Sequence, residues 1–122
     1  IKKMISRDLY RTFLEKHDDL IERKKEIKYY EIKSHNDIKY VIKNNIKYVS
    51  INDDNFKSLK RLIPNSVTHL KLDIISQLEY DVIPSSVKHL FIGNSYNKPI
   101  LPGVIPNTVR EIIFGLQFNQ II

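Results

Sequence analysis

Four windows of the chain place apolar residues at relative positions 1, 4 and 6: Ile46/Val49/Ile51, Val67/Leu70/Leu72, Val87/Leu90/Ile92 and Val109/Ile112/Phe114. The last two positions of each trio flank a single intervening residue, the spacing of a short strand with one face toward a core. The three later windows each follow an Ile-Pro step, at Pro64, Pro84 and Pro106, so the unit recurs after 20 and then 22 residues. Proline fixes φ and has no N–H for a ladder, which places it at the entry to a strand. Ser66, Ser86 and Thr108 follow two residues later, where a hydroxyl can bond the turning backbone. Gly93 and Gly115 stand where two strands end and the chain turns away, with Asn52 and Asp73 in that place in the others. Return segments follow, Tyr96-Asn97 and Phe118-Asn119, in which the ring turns inward and the amide bonds the corner. The first regular unit departs from this with Ser76-Gln-Leu-Glu-Tyr80, which predicts an irregular return.

A fixed period of this length predicts a solenoid, in which each unit buries its apolar face only against its neighbours. Residues 63–122 form the regular repeats. Residues 36–62 read as a degenerate version of them, with Asn36-Asp37 capping a short helix that carries Ile38, Val41 and Ile42. A strand at 46–51 follows, then a second short helix capped by Asp53-Asp54 with Phe56, Leu59 and Leu62. A hairpin pairing residues 38–41 with 46–49 around Asn44-Asn45 competes with this. Helix then strand is favoured, because Ile46 lies 21 residues before Val67 and keeps the period. Residues 1–35 are expected to form an N-terminal helical cap, helical over 3–33, with Ser6 as N-cap before the stripe Leu9, Tyr10, Phe13 and Leu14. The fold class expected is an α+β repeat solenoid: a leucine-rich-repeat-like stack of short parallel strands behind a helical cap.

Composition narrows the chemistry. The chain has 122 residues, a net charge of +6 and no cysteine, so disulfides, thiolate metal sites and thiol catalysis are excluded. Alanine is absent while Ile, Lys, Asn and Tyr abound, the mark of AT-rich codons, which discounts the basic charge as a functional signal. No secretory or membrane-length apolar run appears, and an intracellular, cytoplasmic setting is expected. The chain opens on Ile1 and closes inside a repeat, as expected of a fragment or of a processed product.

The segment Ile105-Pro-Asn-Thr-Val109, continuing through Phe114-Gly115 to Phe118-Asn-Gln-Ile-Ile122 and preceded by Leu101-Pro-Gly-Val104, resembles the FNIP repeat. Ile83 to Gly93 matches the same pattern, and Ile63 to Asp73 does so more loosely. The resemblance implies a relative of leucine-rich repeats, of a kind common in social amoebae and in large DNA viruses of amoebae. For a viral protein it implies the host cytoplasm or the virion. It brings no catalytic residues. Members often carry an N-terminal F-box, which would imply a ubiquitin-ligase substrate adaptor. Residues 1–35 lack the Leu-Pro entry of that module, so the adaptor role stands as an alternative.

With the strands in register, one exposed column reads Tyr48, His69, His89, Glu111 and the next Ser50, Lys71, Phe91, Ile113. Imidazoles and a carboxylate can ligate zinc, but a straight row does not converge on a tetrahedral centre, so no metal and no cofactor are expected. Phe91 and Ile113 would form an exposed apolar pair, the kind of patch that marks an interaction site unless another part of the chain covers it. Enzyme signatures fail: there is no Gly-rich phosphate loop and no nucleophile elbow. The lysines are spread rather than clustered, which disfavours nucleic acid as the partner. The function expected is non-catalytic binding of an unidentified protein through Phe91, Ile113, Lys71, His69, His89 and Tyr48. Self-association through an open C-terminal edge at 109–114 is a further expectation.

Overall fold

A computed structural model describes residues 3–6 and 28–120. In chain order its elements are β1 (Lys3–Ser6), β2 (Tyr30–Ile32), α1 (His35–Lys43), β3 (Tyr48–Asn52), β4 (His69–Asp73), β5 (His89–Ile92) and β6 (Glu111–Phe114). The strands form one sheet in the order β1-β6-β5-β4-β3-β2, and every pair is parallel. From β2 to β6 each strand pairs with the next in sequence, as expected when a unit can bury its face only on its neighbours.

The register aligns like with like. Val49, Leu70, Leu90 and Ile112 form one buried row, and Ile51, Leu72, Ile92 and Phe114 the next. Each such side chain contributes about 1.5–3 kcal/mol when removed from water. Val67, Val87 and Val109, the first members of the trios, are buried beneath the strand entries.

Those entries repeat atom by atom. The N–H groups of Val67, Val87 and Val109 donate to the carbonyls of Pro64, Pro84 and Pro106 at 3.2, 3.1 and 3.1 Å. The next two N–H groups then share one carbonyl of the preceding unit: Thr68 and His69 on Lys47, Lys88 and His89 on Thr68, Arg110 and Glu111 on Lys88. Proline ends the preceding turn without needing a ladder partner, as its missing N–H requires. Of the three turn hydroxyls, Ser66 Oγ donates to the Ile46 carbonyl at 3.0 Å, while Ser86 Oγ and Thr108 Oγ1 are buried without a hydrogen-bond partner among the described residues.

Gly93 and Gly115 end strands as expected, but neither has positive φ. The constraint is close approach: a Cβ on Gly115 would overlap the backbone of Gly93 and Asn94, and one on Gly93 would overlap Asp73. The asparagine corner forms a rung where Asn97 Oδ1 accepts the Asn119 N–H at 2.9 Å.

Two expectations are corrected here. Residues 3–6 and 30–32 are strands, not helix. The helix that Ser6 was expected to cap, with its stripe Leu9, Tyr10, Phe13 and Leu14, lies outside the described residues. Asp53-Asp54 opens no helix: Asn52 Oδ1 takes the Asp54 N–H at 3.0 Å, a local bond that competes with helix formation, and residues 53–62 run as turns.

The other short helix is present as α1, but its N-cap is Ser34. Asp37 completes a capping box, accepting from the N–H groups of Ser34 at 3.1 Å and Lys33 at 2.8 Å while Tyr30 Oη donates to it at 3.0 Å. These bonds, the Lys33 N–H above all, hold the Asp37 carboxyl below its ordinary range. Val41 is buried but Ile42 is 62% exposed, so the helix seats a narrower stripe than expected. Asn45 adopts φ 51° past the helix end, which turns the chain into β3 and leaves no hairpin. No helix among the described residues is long and apolar enough to cross a membrane.

Candidate functional site

Along β3, β4 and β5 buried and half-buried residues alternate, so one sheet face packs on the core and the other meets solvent. The outward positions stack in the expected columns: Tyr48 opposite His69, His69 opposite His89, His89 opposite Glu111. The strand spacing of about 4.8 Å brings rings of neighbouring strands to stacking distance. Tyr48 and His69 stack with centroids 4.1 Å apart and planes 22° apart, and His69 and His89 stack at 4.3 Å and 19°. At one end Tyr29 meets Tyr48 edge-on at 5.8 Å; at the other, His89 Nδ1 lies 3.6 Å from Glu111 Oε1. Thr68 Oγ1 sits 2.9 Å from His69 Nδ1 and fixes that ring from the side.

The result is a ladder of four rings across four adjacent chain segments, ending in a carboxylate. Ring lone pairs lie in the ring planes, so imidazoles stacked in near-parallel planes do not aim at one point. Among the described residues no group of three or more His, Cys, Asp or Glu could hold a metal ion. Tyr29 was not among the expected site residues. Its signal was the alternation Tyr30-Glu31-Ile32 just after it, which marks β2 and carries the column one strand further.

The second column also forms, with Ser50 opposite Lys71, Lys71 opposite Phe91 and Phe91 opposite Ile113. Lys71 Nζ lies 5.5 Å from the Phe91 ring centroid, a cation–π contact worth about 0.5–1 kcal/mol at an exposed site. Phe91 is half-buried. Ile113, by contrast, is only 7% exposed, and the expected exposed pair with Phe91 does not exist. β1 pairs along β6 with Ile5 opposite Ile113, so Ile113 sits on an interior strand and not on an open edge. The same pairing closes the edge at 109–114 that was expected to stand open.

A sheet of stacked, sequence-repeating parallel strands with single-carbonyl bridges between units defines a repeat protein. A family model described as the FNIP Repeat matches residues 55–95 and 96–122, more than half of the chain. The chain belongs to the FNIP-repeat family. It is similar to a probable serine/threonine-protein kinase, fnkA, of Dictyostelium discoideum, with 43% identity over 42 residues. That stretch is 33% of this chain and 5% of the kinase's length, so the likeness concerns a repeat-sized piece of the relative. No solved structure matches the chain.

Proposed function

We propose that this chain is a short FNIP solenoid acting as a non-catalytic, intracellular protein-interaction module, and that its partner docks on the outward strand face. The observation that carries this is the ladder Tyr48–His69–His89, with Lys71 and Phe91 in the adjacent column. Aromatic rings held rigid by stacking lose little conformational entropy on binding, and aromatic and basic residues dominate the energetics of protein interfaces. Ile113 drops out of the contact set because it is buried, which moves the centre of the surface toward β4 and β5.

The test is a pull-down with mass spectrometry at physiological salt, comparing wild type with Phe91→Asp and His89→Glu, both checked for an unchanged melting profile. A protein recovered by wild type and lost from both folded variants supports the reading. Ubiquitin-ligase subunits among the recovered proteins would specify an adaptor role. Recovery of nucleic acid alone, indifferent to both substitutions, overturns it in favour of a basic nucleic-acid surface.

A further inference from the structure

The register that stacks the ring ladder also stacks the residue just before it on each strand. The Thr68 N–H donates to the Lys47 carbonyl at 2.9 Å, the Lys88 N–H to Thr68 at 2.8 Å, and the Arg110 N–H to Lys88 at 2.8 Å. Lys47, Thr68, Lys88 and Arg110 are thus successive rungs at the strand entries. Lys28 extends the row, standing one residue before Tyr29 as Lys47 stands before Tyr48. At a strand spacing of about 4.8 Å, the row from Lys28 to Arg110 is about 19 Å long.

Lys28, Lys47 and Arg110 are exposed and Lys88 is half-buried, and none has an ion-pair partner among the described residues. The turns leading into the row, 44–46, 64–67, 84–87 and 106–109, contain no charged residue. Lys71, further along β4, lies against the Phe91 ring and not against a carboxylate. The acids of this face lie elsewhere or are engaged. Glu31 pairs with Lys33 at 4.0 Å, and Glu111, beside the row, faces His89 at 3.6 Å. Asp73 ends β4, about 16 Å along the strand from Thr68. Like charges opposite one another on neighbouring strands destabilise a sheet, and here Lys88 stands opposite Arg110. An anion from outside the chain relieves that repulsion.

We propose that this row seats an acidic stretch of a protein partner, laid across the strand entries with its carboxylates on Lys28, Lys47, Lys88 and Arg110. The proposal rests on the strand-face reading above and names the chemistry of its partner. About six extended residues span the row. The ring ladder favours peptide over nucleic acid. Single-stranded nucleic acid gains by stacking its bases on open ring faces. Here His69 has a ring on each side, taking one face of Tyr48 and one of His89. Tyr29 stands on the far side of Tyr48, and Glu111 on the far side of His89. The ladder therefore offers ring edges, whose N–H and O–H groups suit the carbonyls and carboxylates of a peptide.

The experiment is a titration of the full chain followed by amide NMR at low salt. Its probes are a hexaglutamate peptide, a hexaglutamine peptide and a thymidine heptanucleotide carrying six phosphates. Expected for hexaglutamate are saturable shifts centred on Lys47, Thr68, Lys88 and Arg110, weakening as salt rises. Hexaglutamine should give none, and the heptanucleotide should bind no tighter than hexaglutamate. Lys47→Glu with Arg110→Glu should weaken hexaglutamate binding about tenfold, since two attractions each worth a few-fold become repulsions. Lys57→Glu with Lys98→Glu changes the net charge equally, on exposed return segments, and should weaken it less than about twofold. Absence of saturable hexaglutamate shifts, or equal loss in the two double variants, overturns the proposal. A heptanucleotide bound more than about fivefold tighter, the least that one stacked base contributes, overturns it in favour of nucleic acid. If the first double variant does not fold, Lys47→Gln with Arg110→Gln against Lys57→Gln with Lys98→Gln makes the same comparison. Failure here leaves the strand-face reading to its own test, the Phe91→Asp pull-down.

Discussion

Arg61 and Asp81 stand one above the other, each with positive φ, 56° and 65°, and each three residues before the proline of its unit. The Arg61 N–H donates to the Asp81 carbonyl at 2.7 Å, and the guanidinium lies 3.3 Å from the Asp81 carboxylate. The next unit has Gly103 at this position, with φ 83°. The repeat therefore demands a left-handed residue there, and only one of the three units supplies the residue type that adopts it freely.

Arg61→Gly is expected to stabilise the protein by about 0.5–1 kcal/mol: relief of a left-handed side chain, less the greater unfolded-state freedom of glycine. Asp81→Gly should gain less, because aspartate tolerates this conformation better than arginine. The exposed ion pair lost in either variant is worth little. Gly103→Ala should go the other way, since its Cβ would also crowd the Tyr80 ring at 3.3 Å. Urea midpoints at constant slope test the order.

Tyr96→Phe should cost about 1–3 kcal/mol despite keeping the ring, because the Leu78 N–H would lose its acceptor in a buried setting. Chemical denaturation of the two proteins measures it. A cost within error of zero would mean that the hydroxyl is not what satisfies this N–H.

Gly115→Ala is expected to destabilise by about 1–3 kcal/mol or more, the range for overpacking, because the added carbon meets backbone of the adjacent unit and not a side chain that can swing away. Thermal melting reports it.

Phe91→Asp and Ile113→Asp separate the two halves of what looks like one apolar pair. The first replaces a half-buried ring and should leave the fold intact. The second buries a carboxylate without a partner and should cost several kcal/mol, on the order of 3 or more, or unfold the protein. Circular dichroism melts distinguish them.

The Asp37 cap carries a pH signature. Its carboxyl is depressed, first by the Lys33 N–H, against an ordinary value of 3.8. A group whose folded value is lowered stabilises above its unfolded value and loses that contribution as pH falls through the folded one. Stability should thus decline below about pH 4, and Asp37→Asn should flatten that part of the curve. Helix content followed from pH 7 to pH 2 in both proteins checks the sign.

The repeats were legible because two independent signals coincide: Ile-Pro sets the entry and the 1, 4, 6 rhythm sets the inward side. Once Val49, Leu70, Leu90 and Ile112 align, the outward columns follow from the pleat, and Tyr48, His69 and His89 had to meet. The strands Lys3–Ser6 and Tyr30–Ile32 were not legible as strands. Each is four residues or fewer, and helical spacing accommodates their apolar residues as well as alternation does. Ile113 lies on a strand flanked by one far away in sequence, a neighbour that no local pattern announces, and locally nothing separates it from Phe91. The turns at 53–62 went unread because an Asp-Asp pair caps a helix in general, whereas here the Asn52 amide takes the first free N–H.

The position of β1 has a kinetic consequence. Every other strand pairing joins segments about one repeat apart, so the stack can grow by closing one short loop after another, at modest entropic cost each time. The pairing of Lys3–Ser6 with Glu111–Phe114 instead spans nearly the whole sequence. It gains nothing until the last repeat has formed, which makes it the closing step of assembly and the first to open under denaturant. Amide exchange should therefore find Ile112 and Phe114 less protected than their counterparts Leu70 and Leu72, although all four side chains are equally part of the core.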